Sequence, residues 1–180
     1  VQRGRLFPAV KRYRDGNHVM MKELVELLKN RKMTIASCES LTAGLFTSRI
    51  AEVPGASAVL LGGIVTYATS VKEGLVHVDR SIVETHGVIS DACAKAMAEN
   101  TRSLLGADLC VSFSGNAGPA CMEGKPAGCV YGALAFEGGC RTYHFQIDHA
   151  SRNEVRERVV AAMRDQIIAF LKEERETDNG

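Results

Sequence analysis

Two kinds of apolar pattern alternate along the chain, and their alternation predicts the order of its secondary structure. Short apolar runs that are rich in β-branched residues are typical of buried strands. Longer segments, in which apolar residues recur every three or four positions, are typical of helices with one buried face. The apolar runs predict five strands, at 33–38, 58–67, 108–114, 128–136 and 141–147. The periodic segments predict helices that begin near Met20, Glu39, Thr69, Ser90 and Ser151.

This order of elements predicts an α/β fold. Because helices that alternate with strands pack on both faces of a sheet, we expect a three-layer α/β/α sandwich with a mixed, mainly parallel sheet and a long C-terminal helix. Ligands of such folds bind at the carboxyl ends of the strands. Glu39-Ser40, Tyr67 and Ser114-Gly115 lie at the ends of the first three strands. The sequence therefore predicts that these residues neighbour one pocket.

The same patterns divide the chain into three parts. Residues 1–18 are basic and contain Pro8 and Gly16, which indicates an irregular N-terminal arm or linker. Residues 19–173 carry all the regular apolar patterns and are predicted to form a single domain. Residues 174–180 are predicted to form a charged tail.

Composition narrows the classes of partner and site. The chain has 180 residues and a net charge of +1, so we expect neither a nucleic-acid nor a membrane partner. No apolar run approaches the length of a membrane span, and no signal-peptide pattern is seen, which favours a cytoplasmic location. The six cysteines form no C-x-x-C pair and have no histidine at metal-ligand spacing. This favours reduced thiols and predicts no metal site.

Ser57, Tyr67 and Lys72 are candidates for a hydrolytic site that uses no histidine. A serine hydroxyl becomes a nucleophile only when a base takes its proton. Lys72 lies near a predicted helix start, where burial and the helix dipole would lower the pKa of an amine. Tyr67 could relay the proton. Each residue also has an ordinary structural interpretation. Ser57 could be a turn residue, Tyr67 a core aromatic and Lys72 a solvated lysine.

Two further groups of residues could bind an anion. The loop Gly115-Asn116-Ala117-Gly118-Pro119 follows a predicted strand, and its glycines would let backbone N–H groups converge on a phosphate or an oxyanion. Arg152 and Arg156 lie four residues apart on the last predicted helix and could hold a phosphate between them. Alternatively, the loop is only a tight turn. The two arginines could likewise belong to a solvated helix face on which they pair with glutamates.

Seven segments of the chain, in this order and spacing, resemble the CinA C-terminal domain family over residues 34–171. The matching segments are A-S-C-E-S-L-T-A-G-L (36–45), V-P-G-A-S (53–57), G-G-I-V-T-Y-A-T-S-V-K (62–72), H-G-V-I-S (86–90), S-G-N-A-G-P (114–119), K-P-A-G-C-V (125–130) and S-R-N-E-V-R (151–156). Characterised enzymes of that family are nicotinamide mononucleotide deamidases. The resemblance implies a cofactor-independent amidohydrolase that converts nicotinamide mononucleotide to nicotinate mononucleotide and ammonia.

The resemblance also implies roles for individual residues. Ser57 is similar to the nucleophile, and Tyr67 and Lys72 are similar to its activating partners. Arg152 is similar to an arginine on the phosphate or carboxamide side of the substrate. A homo-oligomer is also implied, with a small nucleotide as the ligand. The other matched positions imply contacts with the substrate or next to it, at Glu39, Thr42, Ser114, Gly115, Asn116, Ala117 and Gly118.

Two other functions stay open on the sequence. The domain could be a catalytically silent module that binds a nucleotide or a protein. It could also be an amidase for another small carboxamide. Ammonia release from nicotinamide mononucleotide, assayed beside a substrate panel, separates the three.

Overall fold

The computed structural model describes the backbone of residues 8–177 and the side chains of residues 20–173. The helices of this part are α1 (Pro8–Arg31), α2 (Leu45–Ala51), α3 (Thr69–Gly74), α4 (Arg80–His86), α5 (Asp91–Leu105) and α6 (Arg152–Thr177). The strands are β1 (Ile35–Glu39), β2 (Leu60–Val65), β3 (Leu109–Gly115), β4 (Cys129–Phe136) and β5 (Gly139–Gln146). None of the described helices is both long and apolar enough to span a membrane.

The strands form one mixed sheet in the order β2-β1-β3-β4-β5. β1 pairs in parallel with β2 and with β3. β4 is antiparallel to both of its neighbours. Four of the strands therefore run in one direction and only β4 runs in the other. The α/β fold with a mixed sheet, predicted from the alternation of elements, is confirmed.

Helices cover both faces of this sheet. On one face, α1 and α6 bury Leu24, Leu28 and Ile167 against Val111 and Leu134 of the central strands. On the other face, α5 lies against β3 and β4. Its contact with the sheet is made of small residues, which let the helix approach closely, and they are Ala94, Ala98, Ala133 and Ala135. The result is the predicted three-layer sandwich.

The ends of the chain differ from the sequence-based assignment. α1 begins at Pro8, so residues 8–18 of the predicted irregular arm are helical. Proline is tolerated in the first turn of a helix, where its missing N–H would have no partner, and no other proline follows before residue 54. α6 continues to Thr177 because neither proline nor glycine interrupts it. Residues 1–7 of the predicted arm and 178–180 of the predicted tail lie outside the described residues.

The second predicted helix also begins later than expected. Residues 40–44 form a turn, in which Ala43 has a φ of 50° and Gly44 a φ of 90°. Because these left-handed values cannot continue a right-handed helix, α2 begins only at Leu45. A single turn of 3-10 helix (Ala56–Ala58) likewise delays the start of β2 to Leu60.

The path of the chain opens a crevice at one end of the sheet. From β1 the chain crosses one face through α2 to β2, and then returns over the other face through α5 to β3. β1 thus lies between β2 and β3, and the connections that lead to these two strands run in opposite directions over opposite faces of the sheet. A crevice outside the carboxyl ends of the strands forms at such a reversal.

Candidate active site

A pocket of about 210 Å³ lies at this reversal. It collects side chains from the ends of β1, β2 and β3, from α3 and from the start of α6. The sequence-predicted residues that line it are Tyr67, Lys72, Ser114, Gly115, Asn116, Ala117 and Arg152. Ser40 lines it as well; the sequence placed this residue at the pocket but assigned it no chemical role.

Lys72 lies at the base of the pocket and is almost completely buried, with 1% of its surface exposed. Its Nζ lies 3.0 Å from Ser40 Oγ, 2.7 Å from the carbonyl oxygen of Thr66 and 3.3 Å from that of Tyr67. Burial lowers the pKa of the Lys72 ammonium, an effect that Cys93, Cys38 and Glu123 partly oppose. Within residues 20–173, none of the ion pairs involves Lys72.

Lys72 donates to all three of its partners. Its Nζ donates to the carbonyl oxygens of Thr66 and Tyr67 and to the hydroxyl oxygen of Ser40. These contacts use the three N–H donors of an ammonium. After loss of one proton, the amine would keep its contacts with the two carbonyl oxygens, which only accept, and its lone pair would face the Ser40 hydroxyl. In that form Lys72 can act as a base toward Ser40.

Tyr67 and Arg152 meet at the mouth of the pocket. Arg152 Nη2 donates to the Tyr67 hydroxyl at 2.6 Å, and Nη1 donates to the carbonyl oxygen of Gly118 at 2.7 Å. Both side chains are exposed. The guanidinium thus carries a full positive charge at the entrance while its partners here are neutral.

The loop after β3 is held by Asn116 rather than by its glycines. The buried Asn116 side chain donates to the carbonyl oxygen of Ala120 at 2.7 Å and accepts from the Gly118 N–H at 2.8 Å. Glycine is required at position 115 for a steric reason, because a Cβ there would lie 2.6 Å from the carbonyl oxygen of Cys129.

Ser114 Oγ donates to the carbonyl oxygen of Val88 at 2.5 Å. Ser114 therefore fixes the pocket wall.

Glu39 lies beneath the pocket and not in its lining. Its buried carboxylate accepts from the N–H groups of Phe46 and Thr47, which begin α2, at 3.2 and 3.0 Å. It also accepts from the hydroxyls of Ser37 and Thr47, at 3.0 and 2.9 Å. Glu39 thus anchors the start of α2 and, with it, one end of the turn that carries Ser40.

Arg156 and Thr42 also lie behind the pocket wall. Arg156 donates to the carbonyl oxygens of Leu41 and Thr42 at 3.0 and 2.9 Å. The Thr42 side chain is fully buried. Arg156 therefore holds the 40–44 turn from the α6 side, and the structure does not bring it together with Arg152 around one ligand position.

Ser57 lies at the other end of the sheet. It is exposed in the 3-10 turn that precedes β2, whereas Tyr67 and Lys72 follow β2. The six residues of β2 separate them, which is about 20 Å of extended chain. Within one chain, therefore, Ser57 cannot pass its proton to Lys72. Ser57 and Lys72 are close in sequence, but β2 lies between them and runs from one end of the sheet to the other.

Replacing Glu39 by Gln is expected to destabilise the fold by about 1–3 kcal/mol, because an amide NH₂ would then face one of its N–H or O–H donors. Urea unfolding of both proteins measures the difference. Glu137→Gln, in the exposed turn between β4 and β5, is the matched control and should change stability by less than about 0.5 kcal/mol. Equal stability of the Glu39 variant and wild type would contradict the anchoring role.

Comparison with known proteins agrees with the fold and the motifs. Residues 17–171 match the sequence model of the family described as the CinA C-terminal domain. A competence-damage inducible protein of Listeria welshimeri is 41% identical over 160 residues, which is 89% of this chain and 39% of that protein. One from a Geobacillus strain is 48% identical over 119 residues, or 66% of this chain and 29% of that protein. The chain thus spans well under half the length of these relatives.

Solved structures of similar size share the fold. A CinA superfamily protein from Klebsiella pneumoniae superposes with a TM-score of 0.85 at 25% identity, covering 87% of this chain and 98% of that one. The competence/damage inducible protein CihA from Agrobacterium tumefaciens gives a TM-score of 0.83 at 26% identity, covering 94% and 99%.

Proposed function

The chain belongs to the CinA C-terminal domain family, and on this basis we propose that it is an amidohydrolase acting on the carboxamide of nicotinamide mononucleotide. The products would be nicotinate mononucleotide and ammonia. The substrate follows from the family resemblance. The chemistry follows from one observation, the 3.0 Å contact between the buried Lys72 Nζ and Ser40 Oγ.

In this mechanism Lys72 is the general base and Ser40 is the nucleophile, in place of Ser57. Lys72 takes the hydroxyl proton as Ser40 Oγ bonds to the carboxamide carbon. The tetrahedral oxyanion collapses, the C–N bond breaks, and the Lys72 ammonium returns the proton to the leaving nitrogen, which departs as ammonia. Water then attacks the acyl-enzyme with Lys72 again as base. Carboxylate product and free Ser40 result.

The walls of the pocket suit the other parts of such a substrate. The 115–117 backbone lines the pocket with Ser40. The Asn116 N–H already donates to the carbonyl oxygen of Cys129, so we assign the oxyanion to the N–H groups of Gly115 and Ala117. Within residues 20–173, Arg152 hydrogen-bonds at the mouth only to the phenol of Tyr67 and the carbonyl oxygen of Gly118. A phosphate would form stronger, charge-assisted hydrogen bonds to the same guanidinium. We therefore place the phosphate at the mouth and the carboxamide at the base.

Arg152→Met tests this orientation. The variant should raise KM for nicotinamide mononucleotide about 10- to 100-fold, because the phosphate loses a charge-assisted hydrogen bond. Its kcat/KM for nicotinamide riboside, which has no phosphate, should change little. Ammonia release measures both substrates. Arg158→Met, exposed on the same helix, is the control.

The same assay decides the function itself. An equal loss on the two substrates would contradict the phosphate position. If the wild-type protein binds nicotinamide mononucleotide but releases no ammonia, the proposed amidohydrolase is excluded and the silent-module alternative is supported.

A further inference from the structure

A small hairpin in the loop between β3 and β4 forms part of the pocket wall. Its two sides meet at Met122 and Lys125, where each N–H donates to the other residue's carbonyl oxygen, at 3.0 and 2.8 Å. The Asn116 side chain holds the base of the hairpin through the carbonyl oxygens of Ala120 and Lys125. Met122 lines the pocket and is half-exposed. The hairpin therefore presents a flexible apolar side chain to any molecule that enters.

Glu123, at the tip of this hairpin, docks on the turn that precedes α5. Its carboxylate accepts from the N–H groups of Val88 and Ile89, at 3.3 and 3.0 Å. Both of these residues line the pocket. Gly87 makes room for the carboxylate, because a Cβ at that position would lie 2.6 Å from Glu123 Oε2. The carboxylate of Glu123 is thus held against the outside of the pocket wall.

This carboxylate supplies a negative charge that the lining itself lacks. Within the described residues, the pocket lining contains two cations, Lys72 and Arg152, and no acidic side chain. In residues 20–173, Glu123 forms no ion pair, and its two N–H donors use only part of the roughly four acceptor positions of a carboxylate. Its charge reaches the base of the pocket, where it raises the pKa of Lys72 against the effect of burial.

Glu39, the carboxylate beneath the pocket, is different. Four hydrogen bonds from Ser37, Phe46 and Thr47 surround it, and it is completely buried. Its charge is therefore committed to the start of α2. Glu123 is exposed, so its charge is screened by solvent but remains available to a ligand on the other side of the wall.

We propose that Glu123 selects a substrate with a positively charged ring, an N-alkylated pyridinium carboxamide, over the neutral dihydropyridine of the same shape, and that Met122 covers the face of that ring. This selectivity rests on the proposed function for the position of the ring. The ring of nicotinamide mononucleotide is bonded to ribose through its nitrogen and carries a full positive charge. Reduction to the dihydronicotinamide removes the charge and keeps the carboxamide, the ribose and the phosphate.

The position of the ring follows from its two ends. With the carboxamide at Ser40 and the phosphate at Arg152, the ring lies between them, beside Met122 and Ile89. A thioether makes favourable contacts with aromatic rings. The phosphate would neutralise Arg152, and Lys72 is neutral when it acts as the base. The ring then carries the one uncompensated positive charge of the complex, and the Glu123 carboxylate behind Ile89 attracts it.

Binding of the oxidised and reduced nucleotides tests this selectivity. Both dissociation constants are measured by titration calorimetry on Ser40→Ala, which should consume neither ligand. The oxidised form should bind more tightly, and adding Glu123→Gln should lower the ratio of the two affinities about 3- to 10-fold, the effect of one partly screened charge. Raising the salt concentration should weaken the preference in the same way. Circular dichroism checks that each variant folds.

Glu137→Gln is the matched control for the loss of charge. Glu137 is exposed in the turn between β4 and β5, and the pairing of Ala135 with Cys110 places this turn at the other end of the sheet. Added to Ser40→Ala, this substitution should leave the ratio of affinities unchanged. The ratio also separates charge from structure. A glutamine at position 123 loses one bond to the 88–89 turn, but a loosened hairpin would weaken both nucleotides equally.

Met122→Ala tests the contact with the ring face. It should weaken both nucleotides by a similar factor, about 2- to 10-fold, because a thioether contact does not require the ring to be charged. A variant that binds both forms as tightly as its Ser40→Ala parent would show that Met122 does not cover the ring.

The outcomes separate this selectivity from the proposed function. Equal binding of the oxidised and reduced forms, or a ratio that Glu123→Gln leaves unchanged, overturns the role of Glu123. A fall in both affinities by the same factor reduces Glu123 to a residue that positions the hairpin, and so overturns it as well. If the wild-type protein binds nicotinamide mononucleotide but releases no ammonia, the proposed function fails, while the ratio of affinities still decides whether Glu123 reads the charge of the ring.

Discussion

Ser40→Ala is expected to abolish ammonia release while leaving the fold unchanged. Ser40 Oγ lies 3.0 Å from Lys72 Nζ, and without this hydroxyl no acyl-enzyme can form. We expect kcat to fall by at least about 10⁴-fold, as when a serine nucleophile is removed from a hydrolase. Ammonia release under saturating substrate measures the loss, and circular dichroism with a urea unfolding curve checks the fold.

Two other serines serve as controls for this variant. Ser103→Ala, at an exposed position of α5 away from the pocket, should keep full activity. Ser57→Ala should retain measurable turnover, since Ser57 lies at the opposite end of β2 from Lys72. Full loss in Ser57→Ala with substantial activity in Ser40→Ala would contradict Ser40 as nucleophile and restore the assignment implied by the family resemblance.

Lys72→Met is expected to lower kcat about 10³-fold and to remove the base from the pH profile. In the wild-type protein the base works only when neutral, so kcat/KM should fall as the pH falls through the pKa of Lys72. That pKa is lowered by burial, so the fall begins below 10.5, the ordinary value for lysine. Residual activity of the variant should show no such step. Lys95→Met, on the exposed side of α5, is the matched control.

The same lysine makes stability depend on pH. Between the lowered pKa of Lys72 in the folded state and 10.5, the unfolded chain binds more protons than the folded one. The free energy of unfolding of the wild-type protein should therefore rise with pH across this window. Lys72→Met should reduce that slope. If Lys72→Met keeps both the wild-type pH profile of kcat/KM and the wild-type pH dependence of the free energy of unfolding, Lys72 is not the titrating base.

The order of elements was readable from the sequence because local patterns determine it. The five strands and the major helices follow from apolar periodicity, and the Ser90 and Gly106 caps of α5 follow from residue type. The element boundaries that differ from the sequence-based prediction depend on backbone dihedral angles. The turn at Ala43 and Gly44 delays α2, and no hydrophobic pattern reports a positive φ.

The candidate site was only partly readable. Tyr67, Lys72, Ser114 and Arg152 were assigned to one pocket, and the structure brings them together there. The family resemblance places Glu39 and Thr42 in the same basin, yet their side chains lie behind its wall. Residues that support a site and residues that touch its ligand occur in the same motifs, so a motif cannot separate them.

The serine that faces Lys72 could be identified only from the tertiary structure. The sequence by itself determined that Lys72 follows the second strand and that Ser57 precedes it. It also placed Ser40 directly after the first strand. Which serine the amine contacts depends on pairing across the sheet. β2 lies beside β1, and this brings Ser40, 32 residues away in sequence, to 3.0 Å from Lys72 Nζ. The same strand carries Ser57 to the far end, because an extended chain separates what the sequence lists as near neighbours.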